Sequence, residues 1–234
     1  MVDDSEIARA YYDSLTPDDL GSGWFNRNLE TLATMVTVTN GARFRTSPRV
    51  YDNKTAASIP SDHPLRAIAK VLEDAPAGTV IRIYMFMLTD PFAIDMLIHY
   101  GGENPIQLIL HYDEEQRNKK ALRHFFKEYG AMAKRAFDQR IQLQWVVKDT
   151  ANCSRYTQMH AKTIITDTFC LIGSYNLSCP ARCASWEHLV ALTTTDADKS
   201  EFDTLWGLLE KAKKDKSNKR KASVALGTNP YAKR

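Results

Sequence analysis

The residues of this chain best suited to chemistry stand near one another in its last third: His160-Ala161-Lys162, then Asp167, then Gly173-Ser174-Tyr175-Asn176, then Glu187. An imidazole serves as nucleophile or as acid and base near neutral pH. A neighbouring ammonium and an amide stabilise the negative oxygens of a phosphoryl group. A carboxylate such as Glu187 can hold the second ring nitrogen and fix the tautomer, as the third member of a triad does. These types suit phosphodiester chemistry without a metal. Blander readings stand beside that one. A lone strand histidine is usually structural, Asp167 between two threonines is a ready turn former, and Gly173 can simply permit close approach or a bulge at a strand end.

The elements around these residues have to present them together. Residues 159–165 and 169–174 flank Thr166-Asp167-Thr168 and predict a tight hairpin. Within a strand, side chains two apart share a face, so His160 and Lys162 are expected to emerge together with Ser174 and Asn176 beside them. Upstream, apolar runs alternate with helical patterns. Pro64 opens a helix that Ala75-Pro76-Ala77-Gly78 ends, 79–89 reads as a central strand, and Asp90-Pro91 starts a helix to about His99. Residues 107–112 predict a strand, 116–137 a long amphipathic helix and 141–147 a further interior strand. In that helix Phe125, Phe126 and Tyr129 read as core or dimer contacts. His111 and His188 fall on predicted strands and read as packing or rim residues. Near the start, Asn40-Gly41 between β-branched residues predicts a hairpin over 35–45 with a type I′ turn. Alternation of strand and helix on this spacing predicts an α/β fold, a mixed β-sheet flanked by helices.

Charge is distributed unevenly along the 234 residues, although the formal net charge is only +3. Residues 1–20 hold six acids and one base, residues 211–234 hold seven Lys and two Arg against one Asp, and the remainder is neutral. This divides the chain into an acidic flexible lead-in at 1–20, ended by Gly21-Ser22-Gly23, a domain at 21–210 and a basic disordered tail at 211–234 that follows a helix over 200–212. The tail suits nucleic acid, nuclear import or an anionic lipid surface, or it merely aids solubility. With 44% hydrophobic residues the chain can bury a sizeable core, which sets aside collagen-like and wholly disordered classes. Cys153, Cys170, Cys179 and Cys183 make neither a disulfide framework nor a zinc-ligand pattern, so no metal and no cofactor are expected. No secretory, transit or membrane-spanning pattern is seen, and an intracellular location, cytoplasmic or nuclear, is the expectation.

His160-x-Lys162-x4-Asp167, followed by Gly173-Ser174-x-Asn176 and a distal Glu187, resembles the signature of the phospholipase D superfamily. Three fixed residues alone recur by chance in roughly a few per cent of chains this long, whereas the longer pattern does not. The likeness extends over roughly residues 64–195, with one departure: Ser185 stands where many relatives carry Asn. The resemblance implies a phospholipase D-like fold with one half-site per chain. It implies His160, Lys162, Asp167, Asn176 and Glu187 as catalytic residues, with Lys162, Ser174 and Asn176 binding substrate. It also implies a phosphohistidine intermediate and, because none of the other five histidines begins His-x-Lys, a homodimer that completes the site. The favoured partner is nucleic acid, cut by a nuclease of the small dimeric endonuclease kind. The alternatives are an anionic phospholipid, hydrolysed as in the mitochondrial cardiolipin hydrolase branch, and a nucleic-acid-binding relative without activity.

Overall fold

In a computed structural model, residues 29, 31–34, 36–46, 59–101, 104–112, 116–147 and 160–225 are described, and all statements below concern them. The lead-in at 1–20 and residues 226–234 lie outside them. The elements run β1 (Arg43–Arg45), α1 (Pro64–Glu73), β2 (Ile81–Met85), α2 (Pro91–Gly101), β3 (Ile106–Tyr112), α3 (Arg117–Arg140) and β4 (Ile141–Val147). They continue with β5 (Lys162–Ile165), β6 (Phe169–Gly173), α4 (Cys179–Cys183), β7 (His188–Thr193) and α5 (Asp196–Ala225).

Seven strands form one mixed sheet in the order β1-β7-β6-β5-β2-β3-β4. The helical connections α2 and α3 let β2, β3 and β4 run parallel. The remaining pairs are antiparallel, and among them β5 and β6 are joined by a tight turn. Alternation within β2 explains the layering: Ile81, Ile83 and Met85 are buried on one face, where they join Leu108, Leu110 and the inner sides of α1 and α2. The opposite face buries Ile109, Ile165 and Cys170 against Phe202 and Trp206 of α5. Burial on both faces is why the middle strands are mostly apolar.

Four expectations are corrected. The strand at 141–147 is not interior: β4 pairs only with β3 and closes one edge of the sheet, which is why Gln142 can stay exposed. The hairpin at 35–45 does not form, because β1 finds its partner in β7 instead. Asn40-Gly41 still turns the chain, with Ala42 N donating to Thr39 O at 3.0 Å. Only Gly41 takes a positive φ (81°), however, and a type I′ turn requires it at both central residues. The Asn40 side chain accepts from Thr193 N at 3.1 Å, so the turn serves to dock β1 on β7. The long helix α3 breaks at Gly130 (φ 74°, ψ −167°), a conformation open to glycine and strained for other residues. Finally, helix α5 does not stop near Ala212 but continues to Ala225, so most of the basic segment expected to be disordered is helical. From Lys211 to Ala225 the chain contains no Gly or Pro and is rich in Lys and Ala, which favour helix.

Gly173 closes β6 where the chain backbones crowd. A Cβ there would lie 2.1 Å from His188 O. Backbone cannot yield cheaply, so Gly173→Ala is expected to cost about 1–3 kcal/mol in urea denaturation and to displace Ser174. A stability within a few tenths of the parent's, measured at the same pH, would count against this packing.

Candidate active site

One end of the sheet gathers the residues in question. Pairing of Met85 with Lys162 brings the start of β5 to the carboxyl end of β2, and pairing of Gly173 with Leu189 brings the end of β6 to the start of β7. Strand β2 has a parallel neighbour on one side and an antiparallel one on the other. The site thus lies outside the carboxyl ends of the parallel strands β2 and β3, the side on which open α/β sheets bind ligands.

His160 precedes β5 rather than belonging to it and is exposed, yet it meets Lys162 as expected. Lys162 Nζ lies 2.9 Å from His160 Nδ1 and 3.3 Å from Nε2, and it donates to His160 O at 2.7 Å. An ammonium only donates, so the ring nitrogen facing it offers a lone pair. Lys162 is 4% exposed, and this burial lowers its pKa, while the charge of Glu187 opposes the shift. The result is a desolvated cation next to an imidazole, suited to meeting a phosphoryl oxygen that replaces its lost hydration.

The other expected residues divide. Ser174 comes to the same end: its N donates to His188 O at 3.0 Å and its Oγ accepts from His188 N at 3.2 Å, so its hydroxyl ties β6 to β7. Asn176 is held by a strap, Leu177 N donating to Met87 O at 3.1 Å and Leu177 O accepting from Thr89 N and Asp90 N at 2.9 and 3.1 Å. Its own Oδ1 is buried without a hydrogen-bond partner, a cost of about 1–3 kcal/mol of the kind found at functional sites. Glu187 is fixed through its backbone, with Thr46 Oγ1 accepting from Glu187 N at 2.9 Å and donating to Ser185 O at 2.8 Å. No hydrogen bond joins its carboxylate to His160 among the described residues; the carboxylate acts on Lys162 by charge. Asp167 is not brought to the cluster. It sits in the β5–β6 turn, 3.6 Å from Lys199 Nζ of α5, beyond the far end of β5, whose length from Lys162 to Ile165 is roughly 10 Å. Ser185, the departure from the family pattern, contributes its carbonyl to Thr46.

Several residues of this end carried no signal in the motif. Phe86 sets its ring beside His160, with centroids 4.7 Å apart, and stacks on His111 at 5.0 Å. Asn118 bonds the backbone of both Phe86 and His111. Beneath the strap, Asp90 and Arg182 form an ion pair at 2.5 Å, with side chains 1% and 4% exposed. Asp90-Pro91 was legible as a helix start, and Asp90 Oδ1 does accept from Phe92 N at 3.1 Å. Its partner Arg182 was not legible. Among the described residues, no three His, Cys, Asp or Glu side chains gather in a way that could hold a metal ion.

His63 caps α1, its Nδ1 accepting from Leu65 N at 3.0 Å, and its Nε2 meets Arg182 O at 3.0 Å. The ring is therefore neutral with the proton on Nε2, and burial lowers its pKa from 6.5 to about 4. As pH falls below 6.5 the unfolded chain takes up a proton that the folded chain refuses until about pH 4. Stability is complete above the unfolded value and should decline by about 3 kcal/mol across that window. His63→Asn keeps a capping side chain, so its urea midpoints at pH 7 and pH 5 should differ by much less than the parent's. An equal loss in both proteins would assign the acid sensitivity elsewhere.

The chain is similar to several known proteins. The family model described as cardiolipin synthase, PLD-like domain, matches residues 72–206, more than half of the chain. Among solved structures, Nuc, a phospholipase D family member from Salmonella typhimurium, is 16% identical, with 72% of this chain and 92% of that one covered and a TM-score of 0.46. NucT from Helicobacter pylori is 18% identical over 61% of this chain and 87% of that one, with a TM-score of 0.45. Phosphatidylserine synthase from Haemophilus influenzae is 11% identical over 69% of this chain and 37% of that one, with a TM-score of 0.43. No curated protein matches the sequence. Among the described residues no helix is long and apolar enough to cross a membrane.

Proposed function

The chain belongs to the phospholipase D superfamily, and from that premise we propose that it is a metal-independent phosphodiesterase that cuts nucleic acid as a homodimer, with His160 as nucleophile. The observation that carries the reading is the contact of a desolvated Lys162 ammonium with the His160 ring at the carboxyl end of β2. A ring nitrogen of His160 attacks phosphorus, forming a P–N bond as the P–O bond to the leaving group breaks. A second imidazole, in its protonated form, gives its proton to the departing oxygen. That same imidazole then takes a proton from water, whose oxygen attacks phosphorus, breaks the P–N bond and releases a phosphomonoester. Lys162, with Asn176 and Ser174, stabilises the charge that grows on the phosphoryl oxygens.

Two imidazoles are required, and this chain supplies one in the right surroundings. A second copy related by a two-fold axis supplies the other, and closed two-fold pairs are the commonest soluble assembly. Support for a nucleic acid comes from the basic segment at the end of α5, which neutralises phosphates and releases counterions. A lipid phosphodiester is the second reading, favoured by the family model's description as cardiolipin synthase.

Labelled single-stranded DNA, RNA, duplex DNA and cardiolipin vesicles, each offered in chelator, separate these readings. Cleavage of a polynucleotide by a dimer is the expected result. Turnover of the vesicles alone would move the assignment to lipid, and full activity in a strictly monomeric fraction would overturn the shared site. Loss of all activity in chelator would contradict the histidine mechanism.

A further inference from the structure

His160 is weakly held for a nucleophile. It lies outside the β5 ladder, it is exposed, and no hydrogen bond joins it to Glu187 or Asn176 among the described residues. Reaction demands a ring kept in one orientation, because a misplacement of about 1 Å costs on the order of a hundredfold in rate. Besides Lys162, the ring of Phe86 lies against it among the described residues, tilted 47° at 4.7 Å between centroids. The same ring lies 5.1 Å from Lys162 Nζ, within the reach at which an aromatic face attracts an ammonium. It also stacks on His111 at an interplanar angle of 22°.

Phe86 follows the last residue of β2, where a ladder no longer fixes the backbone. Asn118, 1% exposed at the start of α3, takes over that task. Its Nδ2 donates to Phe86 O at 3.0 Å and to His111 O at 2.9 Å, and its Oδ1 accepts from Leu88 N at 2.8 Å. One amide thus uses both kinds of its hydrogen-bonding group to join the ends of β2 and β3 beneath the cluster. A leucine at 118 would leave three buried backbone groups unsatisfied, and an aspartate would set a carboxylate against two carbonyls.

We propose that Phe86 is the positioning residue of this site and Asn118 its clamp: the Phe86 ring sets the orientation of the His160 imidazole and holds the Lys162 ammonium beside it. The inference rests on the His160-centred reading above, and it concerns residues outside the motif.

The test compares the parent with F86L, F86M, F86Y and N118D, using bis(para-nitrophenyl) phosphate as a minimal diester and nuclear magnetic resonance of the His160 ring C–H groups without substrate. F86L and F86M should lower kcat by about a hundredfold while KM stays within about threefold, and F86Y should remain within about threefold of the parent in kcat. N118D should lower kcat in the same direction. The His160 ring signals should shift in F86L and F86M, which lose the ring current, and stay near their parental positions in F86Y. A kcat in F86L or F86M within about twofold of the parent, F86Y as impaired as F86L, or unshifted His160 signals would each overturn the proposal. Should the parent fail to hydrolyse the diester, the functional reading falls, while the ring signals still decide whether Phe86 orients His160.

Discussion

His160→Ala is expected to lower phosphodiester turnover by about four orders of magnitude, with little change in stability. The size follows from the role. Without an imidazole no P–N bond can form, and in a symmetric dimer the same substitution also removes the group that protonates the leaving oxygen. What remains is the binding and charge stabilisation offered by Lys162, which by itself supplies only a minor part of such rate enhancements. The fold should not suffer, because the ring is exposed and its backbone is outside the ladder. Its loss removes contact with Phe86 and one hydrogen bond of Lys162, whose Nζ keeps its bond to the backbone oxygen of residue 160. Kinetics on bis(para-nitrophenyl) phosphate with a matched urea denaturation check both halves. A variant that retains more than about a tenth of parental kcat would remove His160 from the chemistry.

Asp90→Ala carries the largest expected effect on stability, about 3–5 kcal/mol. Arg182 is 4% exposed, and burial alone would disfavour its charge, yet the charge and hydrogen bonds of Asp90 outweigh burial and hold its pKa above the ordinary value. Removing Asp90 takes the carboxylate away from that buried guanidinium. The guanidinium carbon also lies 5.3 Å from the Phe92 ring centroid, a contact too weak to compensate. Replacing both partners by apolar residues, Asp90→Leu with Arg182→Met, should recover most of the loss, since burying the pair is itself costly. The effect should reach the site. Thr89 N and Asp90 N hold Leu177 O, next to Asn176, so the single variant should also lower kcat where it still folds. A urea denaturation series on the parent and these two variants reads the result. A loss under about 1 kcal/mol for Asp90→Ala would show that the pair does not anchor this corner.

How far the sequence reached depended on whether partners were local. Strands β2 and β3 and helices α1 and α2 were legible because apolar periodicity and the Pro64 and Pro91 starts are properties of short stretches. The β5–β6 hairpin was legible for the same reason, and Thr166 closes it by accepting from Thr168 N and Phe169 N. The meeting of His160 with Lys162 was expected from strand alternation and occurs, although His160 lies just before β5. By contrast, the failed hairpin at 35–45 turned on a distant strand: β7 competes for β1, and no local rule states which partner wins. Asp167 shows the opposite error, since the motif groups it with His160 while the extended geometry of β5 carries it to the other end of the sheet. Phe86, His111 and Asn118 come from three separate segments, and nothing in any one of them announces that they meet. Arg182 was missed likewise, because a buried ion pair is visible only once both residues are placed.

The central claim is that His160 becomes covalently attached to phosphorus during turnover without a metal. Rapid quenching of the full-length protein during hydrolysis of bis(para-nitrophenyl) phosphate in chelator, followed by peptide mass spectrometry under conditions that preserve phosphohistidine, tests it most directly. The account predicts a phosphoryl adduct on the peptide carrying His160, present in the parent and absent from His160→Ala. Turnover in chelator with the adduct on another residue, or hydrolysis that stops when metal is removed, would contradict it.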